Sequence, residues 1–133
     1  MSTITGSCLC GRVSFECKND FHSFHLCHCK QCQKITGSAH ASNLFTQVGN
    51  IKWLKGEALL KRYNMPERFF SKNFCTECGS SMPYETQSGK ALIVPAGCLD
   101  QSPSIEPQDN IFCTEKASWY ASAIKAPSFD RFP

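Results

Sequence analysis

The stretch "HLCHCKQCQK", residues 25–34, sets Cys27, Cys29 and Cys32 within six positions. Sulfurs this close in sequence gather readily around one metal ion, whereas disulfides between such near neighbours are strained. Structural zinc takes four protein ligands; catalytic zinc takes three and keeps a fourth position for water or substrate. This cluster offers three cysteines. Either a fourth ligand comes from elsewhere in the chain, or the position is open for chemistry.

Two further pairs lie outside it. "FCTECGSSM" contains Cys75-x-x-Cys78 followed by Gly79, the pattern of a zinc knuckle, and "SCLCGRV" contains Cys8-x-Cys10-Gly11. Alternation along an extended strand predicts that Cys8 and Cys10 point to one side. Together the pairs would complete a closed Cys₄ tetrahedron joining segments distant in sequence, a site for folding stability rather than catalysis. Spacing alone leaves open which clusters share an ion.

If the pairs do combine, Cys27, Cys29 and Cys32 remain as a three-ligand site. Three thiolates over-neutralise a divalent ion, which weakens it as a Lewis acid and suits it to holding a substrate thiol as thiolate. The chemistry indicated is thiol addition or its reverse. His25, two residues before Cys27 on the same strand face, is the alternative fourth ligand; His28 points the other way, to a role behind the ligands or at the surface. The proton for a developing alkoxide could come from His25, His28 or Ser38. Lys30 and Lys34 flank the cluster and could receive substrate carboxylates. Cys17, Cys98 and Cys113 read as small apolar side chains, and His22 and His40 as ordinary histidines.

The rest of the sequence sets the frame. At 133 residues the chain is expected to form one domain, 1–133, and 41% hydrophobic residues with ten Phe exclude a disordered chain. No segment approaches the ~18 apolar residues of a membrane span, the longest candidate being "ALIVPAG". The N-terminus lacks a basic and then apolar leader, so a cytoplasmic location is expected, where a disulfide framework does not belong. Seven thiolates holding two zinc ions would bring the formal charge of +3 to zero. Lys and Arg are scattered, with no run longer than Lys61-Arg62, so neither nucleic acid nor an anionic membrane is an expected partner. Oligomeric state leaves no mark in the sequence.

Local patterns are those of short antiparallel strands. Val13, Phe15 and Cys17 alternate in "RVSFEC", and "NIKWLKGEALLKRYN" reads as a hairpin turning near Lys55-Gly56. "ERFFSKNFC", "KALIVPAG", "NIFC" and "SWYA" read as further strands. One or two helical turns are expected from Lys30 to Thr36, ended by Gly37. The fold class is mainly β.

The segments "GSCLCGRVSFE", "CHCKQCQKITGSA", "FCTECGSSM", "PAGCLD" and "NIFCTEKASWY" occur in an order that resembles the glutathione-dependent formaldehyde-activating enzyme family, which includes centromere-protein-V-like proteins. The resemblance implies a zinc-binding β-tent domain. It implies two zinc ions per chain: a structural one on Cys8, Cys10, Cys75 and Cys78, and a catalytic, more labile one on Cys27, Cys29 and Cys32. It implies carbon–sulfur lyase activity, the reversible formation of S-hydroxymethylglutathione from glutathione and formaldehyde or a related aldehyde. The competing class is a non-catalytic zinc-binding interaction module of the centromere-protein-V-like type, which would favour a basic run that is not seen here. A third is redox or metal handling by an exposed three-cysteine site.

Overall fold

The computed structural model describes residues 2–133. Its strands are β1 (Thr3–Ser7), β2 (Ser14–Lys18), β3 (Ser23–Cys27), β4 (Ala41–Thr46), β5 (Lys52–Lys55), β6 (Leu60–Asn64), β7 (Ser71–Cys75), β8 (Ser81–Met82), β9 (Tyr84–Glu85), β10 (Leu92–Pro95) and β11 (Asp109–Ile111). Two short helices, α1 (Lys30–Thr36) and α2 (Tyr120–Ala123), interrupt them. The mainly β class with short helical turns is therefore observed. None of the described helices is long and apolar enough to cross a membrane.

The strands form three sheets, ordered β1-β2-β5, β11-β3-β4-β10-β9 and β6-β7-β8. Among the described strands every pairing is antiparallel except β11 with β3, which is parallel. The alternation in β2 works as expected: Val13, Phe15 and Cys17 are buried, and the Phe15 ring meets Trp53 edge-on at 5.6 Å. With Leu44, Met82 and Val94, also fully buried, they form the main core between the sheets. Burying each such side chain contributes roughly 1.5–3 kcal/mol.

Three local readings are corrected. Cys8–Gly11 is not extended but a tight turn between β1 and β2, in which the Gly11 amide donates to the Cys8 carbonyl at 3.0 Å. Residues 51–63 do not pair into a hairpin. β5 pairs with β2 and β6 with β7, because Gly56 packs against the Arg12 backbone: a Cβ there would lie 2.0 Å from the Arg12 carbonyl oxygen, and φ is +78°. "SWYA" is not a strand; its middle begins α2, where no neighbouring strand edge is offered.

The helix expected at Lys30–Thr36 is present. The Cys29 sulfur caps it by accepting the Cys32 amide at 3.3 Å, and Gly37, in the left-handed conformation at φ +65°, ends it. One cysteine thus lies just before the helix and another in its first turn, which swings Cys32 back toward Cys27 and Cys29.

Candidate metal centres and the clefts beside them

Cys8 and Cys10 sit in the turn after β1, and Cys75 and Cys78 in the turn after β7, where the Gly79 amide donates to the Cys75 carbonyl at 2.7 Å. The two turns meet. Leu9 N–H donates to Ser80 Oγ at 2.8 Å, and Arg12 Nη1 lies 2.5 Å from Glu77 Oε1. The four sulfurs lie within 4.8 Å of one another, with Cys8–Cys10 at 3.5 Å and Cys10–Cys75 at 4.0 Å. A tetrahedral ion with Zn–S near ~2.3 Å needs sulfurs about 3.8 Å apart. The separations fit. The Ser80 hydroxyl, 3.2 Å from Cys78, leads the effects that bring that thiol down to about 5, toward the thiolate a metal needs.

Cys27, Cys29 and Cys32 are all buried, and their sulfurs also lie within 4.8 Å of one another. They form a small apolar cluster of their own with Ala41, packed against Phe70 and Ile111. Burial pushes the Cys27 and Cys32 thiols up, and at Cys32 the neighbouring sulfurs add to it. Such a group resists ionising unless a cation accompanies it, and its soft donors suit zinc. All ten cysteines are free thiols.

Among the described residues no histidine, cysteine or carboxylate joins these three sulfurs as a fourth donor. His25 is on the expected strand face, but its Nδ1 lies 2.5 Å from Asp109 Oδ1. His28 is fully buried behind the ligands. Its Nε2 meets Asn110 Oδ1 at 2.8 Å, and its ring packs against His40 and Tyr120 at 5.1 and 4.8 Å between centroids. His40 is therefore not the isolated histidine expected, and desolvation lowers its pKa.

Strand pairing explains what faces the sulfurs. Cross-strand partners project to the same face of a sheet. The pairings Asp109–His25–Asn43–Pro95 and Ile111–Cys27–Ala41 run across β11, β3, β4 and β10, and Phe45–Ile93–Tyr84 continues the same face to β9. That face, α1 and residues 68–71 enclose a cleft of about 390 Å³ with Cys27, Cys29 and Cys32 in its wall. Lys30 and Arg68 line it, as do Phe69, 91% exposed, and Phe112. Lys34 and Ser38 do not line it.

A second cleft, of about 180 Å³, shares Cys32, Asn43, Phe70, Ser71 and Tyr84 with the first. Tyr84 is half-buried, and burial pushes its phenol up to about 12. Arg68, Asn43 and Tyr84 escaped the sequence reading. Each reaches the cleft through strand order or a loop, and no local spacing announces that.

The family profile of glutathione-dependent formaldehyde-activating enzymes matches residues 3–115. No curated protein matches the chain. A crystal structure of a Rhodobacter sphaeroides protein shares the fold, with a TM-score of 0.62 at 21% identity over 80% of this chain and 97% of that one. Both cysteine groups and the clefts beside Cys32 fall within the matched span, and the chain belongs to the glutathione-dependent formaldehyde-activating enzyme family.

Proposed function

We propose that this chain, acting as one zinc-binding domain over 1–133, is a carbon–sulfur lyase. It would catalyse the reversible addition of a thiol, glutathione, to formaldehyde or a related aldehyde. The observation that carries this reading is a three-sulfur site without a fourth protein donor among the described residues, set in the wall of an accessible cleft. Cys8, Cys10, Cys75 and Cys78 would hold a structural zinc, and Cys27, Cys29 and Cys32 a catalytic one. Bound there, zinc would supply affinity for sulfur and the positive charge that keeps a substrate thiol deprotonated near neutral pH.

The remaining roles belong to the chain's own side chains. Lys30 and Arg68 line the cleft and present cations suited to the two carboxylates of glutathione. Phe70, packed against the three cysteines, gives the cleft an apolar wall beside the reacting atoms, while Phe69 and Phe112 stand exposed at its edge. Of the three proton carriers considered, His25 alone lines the cleft, with Nδ1 engaged by Asp109 and Nε2 left for exchange. Holding thiol and aldehyde side by side replaces a bimolecular encounter, an advantage of several kcal/mol.

The direct test is exchange between ¹³C-formaldehyde and S-hydroxymethylglutathione, followed by NMR. The zinc-loaded protein is expected to raise the exchange rate above that of free glutathione and formaldehyde. No increase at any protein concentration would leave the interaction-module reading in its place.

A further inference from the structure

The reaction needs somewhere to put the carbonyl partner, and the smaller cleft has the properties of such a place. It adjoins Cys32 on one side and is walled by Ile35, Ala41, Met82, Pro95 and Ala96 on others. Several polar groups around it are already engaged: Lys72 Nζ donates to the Ile35 carbonyl at 3.0 Å, Asn73 Nδ2 to the Pro83 carbonyl at 2.8 Å, and Thr36 Oγ1 to the Cys32 carbonyl at 2.7 Å. The Tyr84 hydroxyl and the Asn43 amide make no side-chain hydrogen bond to any described residue, and both residues line both clefts.

Resting on the thiol-addition reading, we propose that Tyr84 receives the carbonyl oxygen of the aldehyde by hydrogen bond, with Asn43 beside it, and that the smaller cleft takes the aldehyde's hydrocarbon group. A phenol hydroxyl is a hydrogen-bond donor, and donors aimed at a developing oxyanion stabilise it strongly. The thiolate sulfur adds to the carbonyl carbon, and the C=O π pair moves to oxygen. The oxygen takes the Tyr84 proton, and solvent, which took up the thiol proton, returns one to Tyr84. The balance is RSH + R′CHO → RS–CH(OH)R′. In reverse, Tyr84 first gives its proton to solvent, then takes the hydroxyl proton as the C–S bond breaks, and solvent returns a proton to the departing thiolate.

The size of the cleft names the substrate class. An enclosed apolar cavity of about 150 Å³ takes benzene; this cleft, open on one side and with Ser42, Asn73 and Ser81 also in its lining, measures about 180 Å³. Formaldehyde would leave most of it empty. The preferred carbonyl compounds are therefore aldehydes with a short alkyl chain or a single aromatic ring.

Tyr84→Phe tests the oxygen contact with two readouts. Isobutyramide, an unreactive carbonyl compound of aldehyde size, is titrated by saturation-transfer NMR, and turnover is measured with propanal and benzaldehyde. The variant is expected to bind the amide about tenfold more weakly, as for loss of one hydrogen bond. Its kcat is expected to fall on the order of 100-fold with the thiol KM unchanged. Wild-type amide affinity and kcat in the variant would overturn the proposal. So would a variant that fails only through lower thermal stability and loss of thiol binding, since that is a packing role.

Ala96→Leu, which fills the cleft, is expected to lower the propanal-to-formaldehyde turnover ratio at least tenfold, and an unchanged ratio would overturn the size argument. If Ala96→Leu does not fold, the wild-type series from formaldehyde to benzaldehyde decides. A steady fall in kcat/KM with size would overturn it. Failure of the thiol-addition reading itself shows separately, as a wild-type protein that binds no thiol at its metal; Tyr84-dependent amide binding is scored independently of that result.

Discussion

Asp109 faces His25 across the parallel pairing of β11 with β3, its Oδ1 2.5 Å from His25 Nδ1. The contact follows from register, since Asp109 opposes His25 just as Ile111 opposes Cys27. It fixes one nitrogen of the histidine that could otherwise have closed the three-cysteine site. His25→Ala is therefore expected to keep the wild-type zinc content, measured by elemental analysis after gel filtration. Loss of one zinc equivalent would make His25 a ligand.

Cys75 is fully buried where β7 meets the turn carrying Cys8 and Cys10. Structural zinc supplies apparent binding free energies of about 10–16 kcal/mol, as large as the whole stability of a typical domain. Cys75→Ser and Cys78→Ser are each expected to abolish soluble folded protein, read by circular dichroism and thermal melting. A variant that kept the wild-type melting temperature and zinc content would remove the four-cysteine group from that role.

The cysteine groups were legible because ligand spacing is local: the sulfurs of Cys75 and Cys78 meet through their own turn, and those of Cys29 and Cys32 through the start of one helix. The same locality misled at Cys8–Gly11, where alternating apolar residues imitate a strand but the Gly11 amide closes a turn on Cys8. Gly56 looked like a hairpin turn, but its actual constraint is the Arg12 backbone, far away in sequence. Trp119 and Tyr120 have β propensity with no strand edge to join, so context overrides it. Tyr84 reaches the cleft only through the pairing of β9 with β10. Long-range strand order is not written in any short window.

The two metal centres are expected to differ in retention. A site with three protein ligands holds its ion less firmly than one with four, so mild chelation is expected to empty Cys27, Cys29 and Cys32 first. Protein as isolated is expected to carry between one and two zinc ions per chain, with the residual ion on the four-cysteine site. Simultaneous release of both, followed with a zinc-responsive dye, would contradict the distinction.

Burial pushes the Cys17 thiol from 9.0 to about 11 in the folded chain. Above pH 9 the unfolded chain releases this proton while the folded chain retains it, so stability falls as pH rises from about 9 to 11. The contribution at stake is up to roughly 2 kcal/mol. Cys17→Val, which keeps an apolar side chain of similar size, is expected to lose less stability between pH 8 and 10.5 in urea titrations. Equal losses would mean that Cys17 adds nothing to the alkaline limb.

The last prediction asks whether the position facing the cleft at Cys27, Cys29 and Cys32 accepts a substrate sulfur. With cobalt in place of zinc, each sulfur ligand adds thiolate-to-metal charge-transfer absorption in the near ultraviolet. Glutathione is expected to raise that absorption in the wild-type protein. Cys29 also caps α1, so Cys29→Ser keeps an oxygen cap for the helix while removing one metal ligand. That variant is expected to lose the glutathione response yet retain its circular dichroism, because the four-cysteine site is built from other turns. If another small thiol gives the response and glutathione does not, the addition chemistry stands and the thiol is reassigned. If no thiol does, and the wild-type spectrum already corresponds to four protein ligands, the lyase reading fails. The three sulfurs would then belong to a closed interaction module.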